Sequence, residues 1–162
     1  MGRVRFVDIL RLLATRDVEF IVVGMTAGIL QGVPLTTLDV DIVHRRVPEN
    51  VERLLSVLRE LDATYRHDPR RLRPDASHLV GPGHQLLQTT HGDLDCLGTI
   101  GNDRTYEDLI GSTTTVELAD GLSIQVLELR VLIEMKRHAG RPKDLAAIPV
   151  LEATLDERDR RQ

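Results

Sequence analysis

Two aspartates, Asp39 and Asp41, stand two residues apart where a short apolar stretch, residues 40–43, begins. In a β-strand, side chains at positions i and i+2 project from the same face, about 6–7 Å apart along the chain. Two carboxylates about 4 Å apart repel by roughly 4 kcal/mol at an effective dielectric constant near 20. A divalent cation removes that penalty, and an all-oxygen ligand set suits Mg²⁺. The pair therefore predicts a magnesium site, although an isolated Asp-x-Asp is more often a turn cap beside a solvent-facing carboxylate.

A third carboxylate comes from a later apolar stretch, residues 91–97. Asp93 and Asp95 share one face of this second predicted strand, and Asp93 could instead be a turn residue after the preceding glycine. We prefer Asp95 as the ligand because leucines flank it. With Asp39 and Asp41 it would give three carboxylates from two strands. Such a set can hold two Mg²⁺ ions, which clamp the attacking and leaving oxygens of a phosphoryl-type transfer.

A phosphate site is predicted at Gly24, which directly follows the apolar residues 20–23 and precedes a predicted short helix. A strand-glycine-helix turn points backbone N–H groups and a helix N-terminus at whatever lies above it. A lone glycine is also common in turns that bind nothing, so this prediction depends on the carboxylates nearby.

The remaining sequence predicts alternating helices and strands that would carry these residues. Helices are indicated by apolar spacing or by terminal Pro and Gly at residues 4–16, 26–31, 48–61, 127–138 and 142–155. Residues 105–111 are predicted to form a short helix or a turn. Strands are indicated at residues 20–23 and 40–43, on both sides of His91-Gly92, and at 114–118 and 122–126 about an Asp120-Gly121 turn. The charged residues 156–162 are expected to fray. This order predicts one α/β or α+β domain over residues 1–162, with a mixed sheet flanked by helices and a helical C-terminal end.

A polar, arginine-rich segment, residues 62–76, interrupts the apolar pattern and is expected to be a loop. Its arginines at positions 66, 70, 71 and 73 could bind phosphate or RNA. A solvated loop is the preferred interpretation, because charge runs usually face water.

The composition excludes several classes of function. A net charge of −4 and an aromatic content of 2% argue against general nucleic-acid binding, which needs a basic face or stacking aromatics. No apolar stretch approaches the roughly 20 residues of a membrane-spanning helix, and the N-terminus lacks the apolar core of a signal peptide. The single cysteine, Cys96, fits a reducing compartment. A cytoplasmic protein without membrane contact is expected.

The same segments resemble the signature of a known family. The sequence VVGMTA at 22–27, followed by Gly32 and by TLDVD at 37–41, is similar to the pattern hG(G/S)xA…G…TxDhD of small nucleotidyltransferases. This group includes lincosamide and aminoglycoside nucleotidyltransferases and abortive-infection toxins of the AbiE type. The sequence GDLDCL at 92–97 resembles the third-carboxylate strand of the family. The sequence KRHAGRPKDL at 136–145 resembles the K-x-x-x-x-R-x-K-D-L segment of its toxin-like members.

The resemblance implies a nucleotidyltransferase fold and the transfer of an NMP from an NTP to a hydroxyl acceptor, with release of pyrophosphate. The acceptor class stays open between a small molecule, a protein and tRNA. Asp39 and Asp41 would hold the magnesium ions, and Asp95 would complete the site and activate the acceptor. The resemblance implies contacts with the nucleotide or its phosphates for Gly24, Met25, Thr26, Thr37, Lys136 and Asp144.

Met25 departs from the family pattern, which usually has Gly or Ser at this position close to phosphate. Its side chain could turn into the core and leave the backbone N–H free, or it could obstruct the triphosphate. Thr26 could replace a lost hydroxyl contact. The alternative function is therefore a weakly active or inactive nucleotidyltransferase-like module that acts as one partner protein of a toxin–antitoxin pair.

Overall fold

The computed structural model describes residues 5–119 and 121–162 and folds them around one sheet. The elements follow in the order α1 (Phe6–Thr15), β1 (Phe20–Val23), α2 (Gly24–Leu30), β2 (Asp39–His44), α3 (Pro48–Glu60), β3 (Thr64–Tyr65), α4 (Ala76–Leu79), β4 (His84–Thr89), β5 (Gly92–Leu97), α5 (Tyr106–Leu109), a 3-10 turn (Ile110–Ser112), β6 (Thr113–Glu117), β7 (Ser123–Leu127), α6 (Leu129–Ala139) and α7 (Pro142–Arg160). Two predicted positions, the helix start at Val4 and the turn residue Asp120, lie outside the described residues.

The sheet has seven strands in the order β3-β4-β5-β2-β1-β7-β6. β2 is parallel to β5 and β1 is parallel to β7, whereas the other neighbouring strands are antiparallel. The predicted mixed sheet, flanking helices and helical C-terminal end are thereby confirmed. The pairing of β2 with β5 matters most for function, because it sets Asp39 opposite Asp93 and Asp41 opposite Asp95.

Side-chain alternation along each strand divides the apolar residues between the two faces of the sheet. On β2, Val40 and Ile42 lie in the larger core cluster, which also takes the buried faces of α1 and α3. Val43 lies in a smaller cluster that packs against α5 and α6. Asp39 and Asp41 are in phase with Val43, so they occupy the face of the smaller cluster. The larger cluster thus supports the strands from behind, and the carboxylates are free to face the other side.

Two segments differ from their predicted structure. The supposed loop at residues 62–76 contains β3, which pairs with β4 at the sheet edge. The last helix continues to Arg160, beyond the predicted end near residue 155. Two side-chain contacts tie its last turns to the domain, since Arg158 Nη1 donates to Gln31 Oε1 at 3.1 Å and Asp159 pairs with Arg130 at 2.9 Å. The helical spacing of apolar residues did not predict these last turns, because the residues that hold them, Gln31 and Arg130, are distant in sequence.

Within the described ranges, no helix combines the length and the apolar character needed to cross a lipid bilayer.

Candidate active site

Three carboxylates from β2 and β5 meet on one face of the sheet. One oxygen from each of Asp39, Asp41 and Asp95 lies within 4.8 Å of the other two. Asp95 is buried, and the other two are half-buried. The structure therefore brings together the three side chains that the sequence predicts as metal ligands. All three offer the carboxylate oxygens that Mg²⁺ prefers.

Gly24 lies directly beside this cluster, at the junction of β1 and α2. Its φ angle is +64°, in the left-handed region that side chains other than glycine rarely adopt. A Cβ atom added to Gly24 would overlap Oδ2 of Asp41. Both the backbone angle and the close approach require glycine here. The missing side chain lets the Asp41 carboxylate lie directly against the Gly24 backbone, where the sequence predicts phosphate.

Two threonines hold the start of β2. Thr26 of α2 is buried, and its hydroxyl donates to the carbonyl oxygen of Asp39 at 2.8 Å. The hydroxyl of Thr37 accepts a hydrogen bond from the Asp39 backbone N–H at 3.3 Å. Both residues, which the sequence assigns to nucleotide contact, lie beside the carboxylates. Their hydroxyls bond to the backbone of Asp39, so in this structure they position that residue.

Met25 packs inward against the larger core cluster. Its sulfur lies 3.5 Å from the place that a Cβ atom on Gly28 would occupy, so the thioether runs along α2. Met25 also lines a cavity together with Leu38 and Asp39. Of the two arrangements left open by the sequence, the structure shows the inward one, with the side chain at the cavity edge.

The closeness of the carboxylates changes their proton affinity. Burial, followed by the negative charge of Asp95, raises the pKa of Asp41 to about 7. Burial also raises the pKa of Asp95, although the neighbouring Arg66 opposes that effect. Oδ1 of Asp41 is buried and has no hydrogen-bond partner among the described residues. The site therefore holds more negative charge than its own surroundings neutralise.

Arg66 is a site residue that the sequence did not identify. Its side chain is 15% exposed and lies between two acids of β5, with Nη2 2.9 Å from Asp95 Oδ1 and Nη1 3.4 Å from Asp93 Oδ2. The contact with Asp95 is an ion pair without hydrogen-bond alignment. Nη1 also donates to the carbonyl oxygen of Leu87 at 3.1 Å. Arg66 thus engages both acids of β5, and of the two Asp95 is the one that belongs to the carboxylate cluster.

Replacing Arg66 with Met should destabilise the protein at pH 8 by about 1–3 kcal/mol, because it leaves a buried carboxylate without its cation. The loss should be smaller at pH 5. Without Arg66 the pKa of Asp95 in the folded protein rises further. A carboxyl group whose pKa is higher in the folded than in the unfolded protein lowers stability only when pH rises above its unfolded pKa. Urea unfolding at both pH values measures the difference.

The matched control is Arg71→Met. Arg71 is exposed and lies 3.8 Å from Asp62, so its loss should cost less than about 0.5 kcal/mol at either pH. Equal effects of the two substitutions would show that Arg66 does not neutralise the cluster.

Lys136 and Asp144 form a second charged group beside the carboxylates. Nζ of Lys136 lies 3.0 Å from Asp144 Oδ1, and Nε of Arg141 lies 2.6 Å from Asp144 Oδ2. Asp144 is almost completely buried, and the hydrogen bond from Arg141 is the main reason that its pKa lies below the ordinary value. The positive charge of Lys136 also opposes the rise in the pKa of Asp41. Asp144 therefore joins the ends of α6 and α7 and holds Lys136 near the cluster.

Replacing Asp144 with Asn should cost about 1–3 kcal/mol of unfolding free energy, since two cations lose their shared partner. The cost should stay constant between pH 5 and pH 8. The folded pKa of Asp144 is depressed, so its contribution is present above the unfolded pKa and disappears only as pH falls through the folded value. Thermal or urea unfolding across this range tests the expectation.

The control is Asp159→Asn. Asp159 pairs with Arg130 on the surface, so losing this ion pair should lower the unfolding free energy by less than about 0.5 kcal/mol. A cost for Asp144→Asn that grew or shrank between pH 5 and pH 8 would contradict the assignment of a low pKa to Asp144.

Comparison with solved structures places this arrangement in a known fold. One similar structure is a "putative nucleotidyltransferase (TM1012)" from Thermotoga maritima, with a TM-score of 0.58 and 20% identity, covering 97% of this chain and 96% of that one. The chain has the nucleotidyltransferase fold. The antibiotic-resistance factor ANT(2'')-Ia is also similar, with a TM-score of 0.56 and 14% identity over 91% of this chain and 80% of that one. A scan against protein-family models and a search of curated proteins found no match.

The carboxylate cluster of this nucleotidyltransferase fold has the features expected of a divalent-metal site. In the part of the chain that the structure describes, the buried Asp41 Oδ1 has no hydrogen-bond partner. Three carboxylates converge there, and Arg66 contacts Asp95. All the converging donors are oxygens, which suits Mg²⁺ better than softer metals. The residues present therefore fit a magnesium site held by Asp39, Asp41 and Asp95.

Proposed function

We propose that the protein is a metal-dependent nucleotidyltransferase that moves an NMP from an NTP to a hydroxyl acceptor and releases pyrophosphate. The observation that carries this proposal is the convergence of Asp39, Asp41 and Asp95 within 4.8 Å, directly beside Gly24. When bound at the three carboxylates, Mg²⁺ would supply positive charge for the reacting phosphate and the leaving oxygen.

The triphosphate would lie between Gly24 and Lys136. Gly24 lines a cavity beside Asp41, and Lys136 lines both cavities that open onto Asp41. Its ammonium group is a compact cation that Asp144 holds in place. A cation fixed in this way stabilises charge on the departing pyrophosphate without reorganising during the reaction.

Asp95 would receive the proton of the acceptor hydroxyl. The acceptor oxygen forms a bond to the α-phosphorus, the bond from that phosphorus to the bridging oxygen breaks, and pyrophosphate leaves. Asp95 lies on β5, on the side of Asp41 away from β1 and Gly24, so it can meet an acceptor opposite the leaving group. Catalysis would then consist mainly of positioning and charge neutralisation.

The direct test is a transfer assay with the full chain. The protein is incubated with each of the four NTPs labelled at the α-phosphate, Mg²⁺ and a cell extract, and the extract is separated into small molecules, protein and RNA. We expect label from at least one NTP in one fraction, and the fraction names the acceptor class. Absence of label from every NTP, with a folded protein, would contradict the proposal.

Asp95→Asn and Asp93→Asn form a matched pair for this assay, because both aspartates lie on the same face of β5. Asp95→Asn should abolish labelling, and Asp93→Asn should retain most of it. The reverse result would make Asp93 the third carboxylate.

The alternative, a toxin–antitoxin partner without catalysis, stays a prediction from the sequence. It requires a stable complex with a partner protein that survives Asp39→Asn and Asp41→Asn. A cellular phenotype that needs both aspartates would favour the enzyme instead.

A further inference from the structure

Two cavities flank the carboxylate cluster and share a wall. Asp41, Lys136 and Asp144 line both of them. The first, which we call the apolar cavity, measures about 390 Å³ and lies between the sheet and α6. The second, which we call the basic cavity, measures about 690 Å³ and lies between the approach to β2 and the start of α7. Both cavities therefore reach the Asp41 carboxylate, so an extended ligand bound there would have space on either side.

The apolar cavity has a hydrophobic floor. Its apolar lining comes from the sheet and from α6, and includes Val23, Leu97, Leu127, Leu132 and Met135. The first four are buried, whereas Met135 is partly buried at the edge of the smaller core cluster. Methionine is flexible and polarisable, so it adapts well to a flat ring.

The mouth of the apolar cavity is polar. Two side-chain pairs bridge the loop after β5 to α6, and all four residues line the cavity. His138 Nε2 lies 3.1 Å from Asn102 Oδ1, and Arg104 Nη2 donates to Glu134 Oε1 at 3.1 Å. Each pair leaves donor or acceptor atoms for a ligand, such as the amide nitrogen of Asn102.

The basic cavity has a different character. Lys143, Thr36 and Thr37 line this cavity and not the apolar one, whereas Lys136 and Arg141 line both. The further cation of the apolar cavity, Arg104, is paired with Glu134, so the basic cavity with Lys143 and two threonines is the better place for an anion of high charge. A hydrophobic floor with a polar mouth instead suits a flat ring with hydrogen-bonding edges.

We propose that the apolar cavity binds the nucleobase of the NTP, and that Asn102 and His138 contact its polar edge and select the base. The triphosphate passes Gly24 and Lys136 into the basic cavity, which places the α-phosphate at the carboxylates. This inference depends on the proposed function, because it assigns the two ends of the same substrate.

The test compares two exposed alanines, one on each cavity. Ala139 of α6 lines the apolar cavity, and Ala146 of α7 lines the basic cavity. Each is replaced by Trp, and binding of non-hydrolysable analogues of the four NTPs and of inorganic tripolyphosphate is measured by calorimetry with Mg²⁺. Circular dichroism and urea unfolding confirm that each variant is folded.

The wild type should bind its preferred NTP analogue at least about tenfold more tightly than tripolyphosphate. Ala139→Trp should remove about tenfold or more of the affinity for the NTP analogue while leaving that for tripolyphosphate within about twofold. Ala146→Trp should lower the affinity for both the NTP analogue and tripolyphosphate. Asn102→Ala should reduce the differences among the four bases.

Two results would overturn the assignment while leaving the proposed function intact. The wild type could bind the NTP analogues and tripolyphosphate equally, or Ala139→Trp could leave nucleotide affinity unchanged while Ala146→Trp alone reduces it. If the wild type binds neither class of ligand, the proposed function fails together with this inference.

Discussion

Replacing Asp41 with Asn should abolish nucleotidyl transfer and, at pH 8, stabilise the metal-free protein. Transfer should fall by about 10³-fold, roughly 4 kcal/mol in the barrier, because the central member of the carboxylate cluster loses its charge. The stabilisation should be about 2–4 kcal/mol, since burial and Asp95 raise the pKa of Asp41 to about 7. Steady-state transfer kinetics and urea unfolding measure the two effects.

The dependence of this stabilisation on pH is a built-in control. The folded pKa of Asp41 lies above the ordinary value of 3.8, so between these values the folded wild type holds a proton that the unfolded chain has lost. The wild type therefore loses stability as pH rises through this range. The increase in unfolding free energy caused by Asp41→Asn should therefore be complete above pH 7 and absent below pH 4. A variant that keeps its activity, or that is less stable than wild type at pH 8, would contradict the role given to Asp41.

Replacing Gly24 with Ala should also impair the site severely, although it adds only one methyl group. The φ angle of +64° costs a residue other than glycine about 1–2 kcal/mol. The added Cβ overlaps Asp41 Oδ2, so the carboxylate must move. A displacement of about 1 Å at a reacting centre can cost about 10²-fold in rate. Transfer kinetics and unfolding together should show a large loss of rate with a modest loss of stability.

Gly32→Ala separates the effect of a positive φ angle from the effect of the contact with Asp41. Gly32 also has a positive φ angle, +99°, but a Cβ atom added there meets nothing within 4 Å. Its substitution should cost similar stability and leave transfer within about twofold. Equal rates for the two variants would show that the position of the Asp41 carboxylate against Gly24 does not matter for transfer.

The three clustered carboxylates could be predicted from the sequence because strands have a period of two. Alternation alone places Asp39 with Asp41, and Asp93 with Asp95, on one face of their strands. What alternation cannot give is the pairing of strands that are distant in sequence. The parallel register of β2 with β5 makes the three carboxylates meet, and it becomes known only from the folded sheet.

Arg66 was misinterpreted for the same reason. Within its own segment it is one arginine among several in polar surroundings, which is typical of a solvated loop. Its partners, Asp93 and Asp95, belong to β5, and β4 lies between them and β3 in the sheet. A residue whose role depends on a sheet edge carries no local signal of that role.

The charged group at the end of α6 could be predicted only in part from the sequence. The sequence places Lys136 and Asp144 in one motif, but they are separated by a helix break at Gly140. The left-handed turn there, with φ of +65°, folds α7 back so that the two side chains meet at 3.0 Å. The turn was predictable from its Gly and Pro, whereas the burial of Asp144 was not.

In the proposed function, Asp39, Asp41 and Asp95 together hold divalent metal next to a bound NTP. This arrangement is tested most directly by a crystal structure with Mn²⁺ and a non-hydrolysable NTP analogue, in which anomalous scattering locates the metal. We expect an anomalous peak within coordination distance of all three carboxylates, with the triphosphate beside Gly24. A bound nucleotide elsewhere, or no anomalous peak between β2 and β5, would contradict the account.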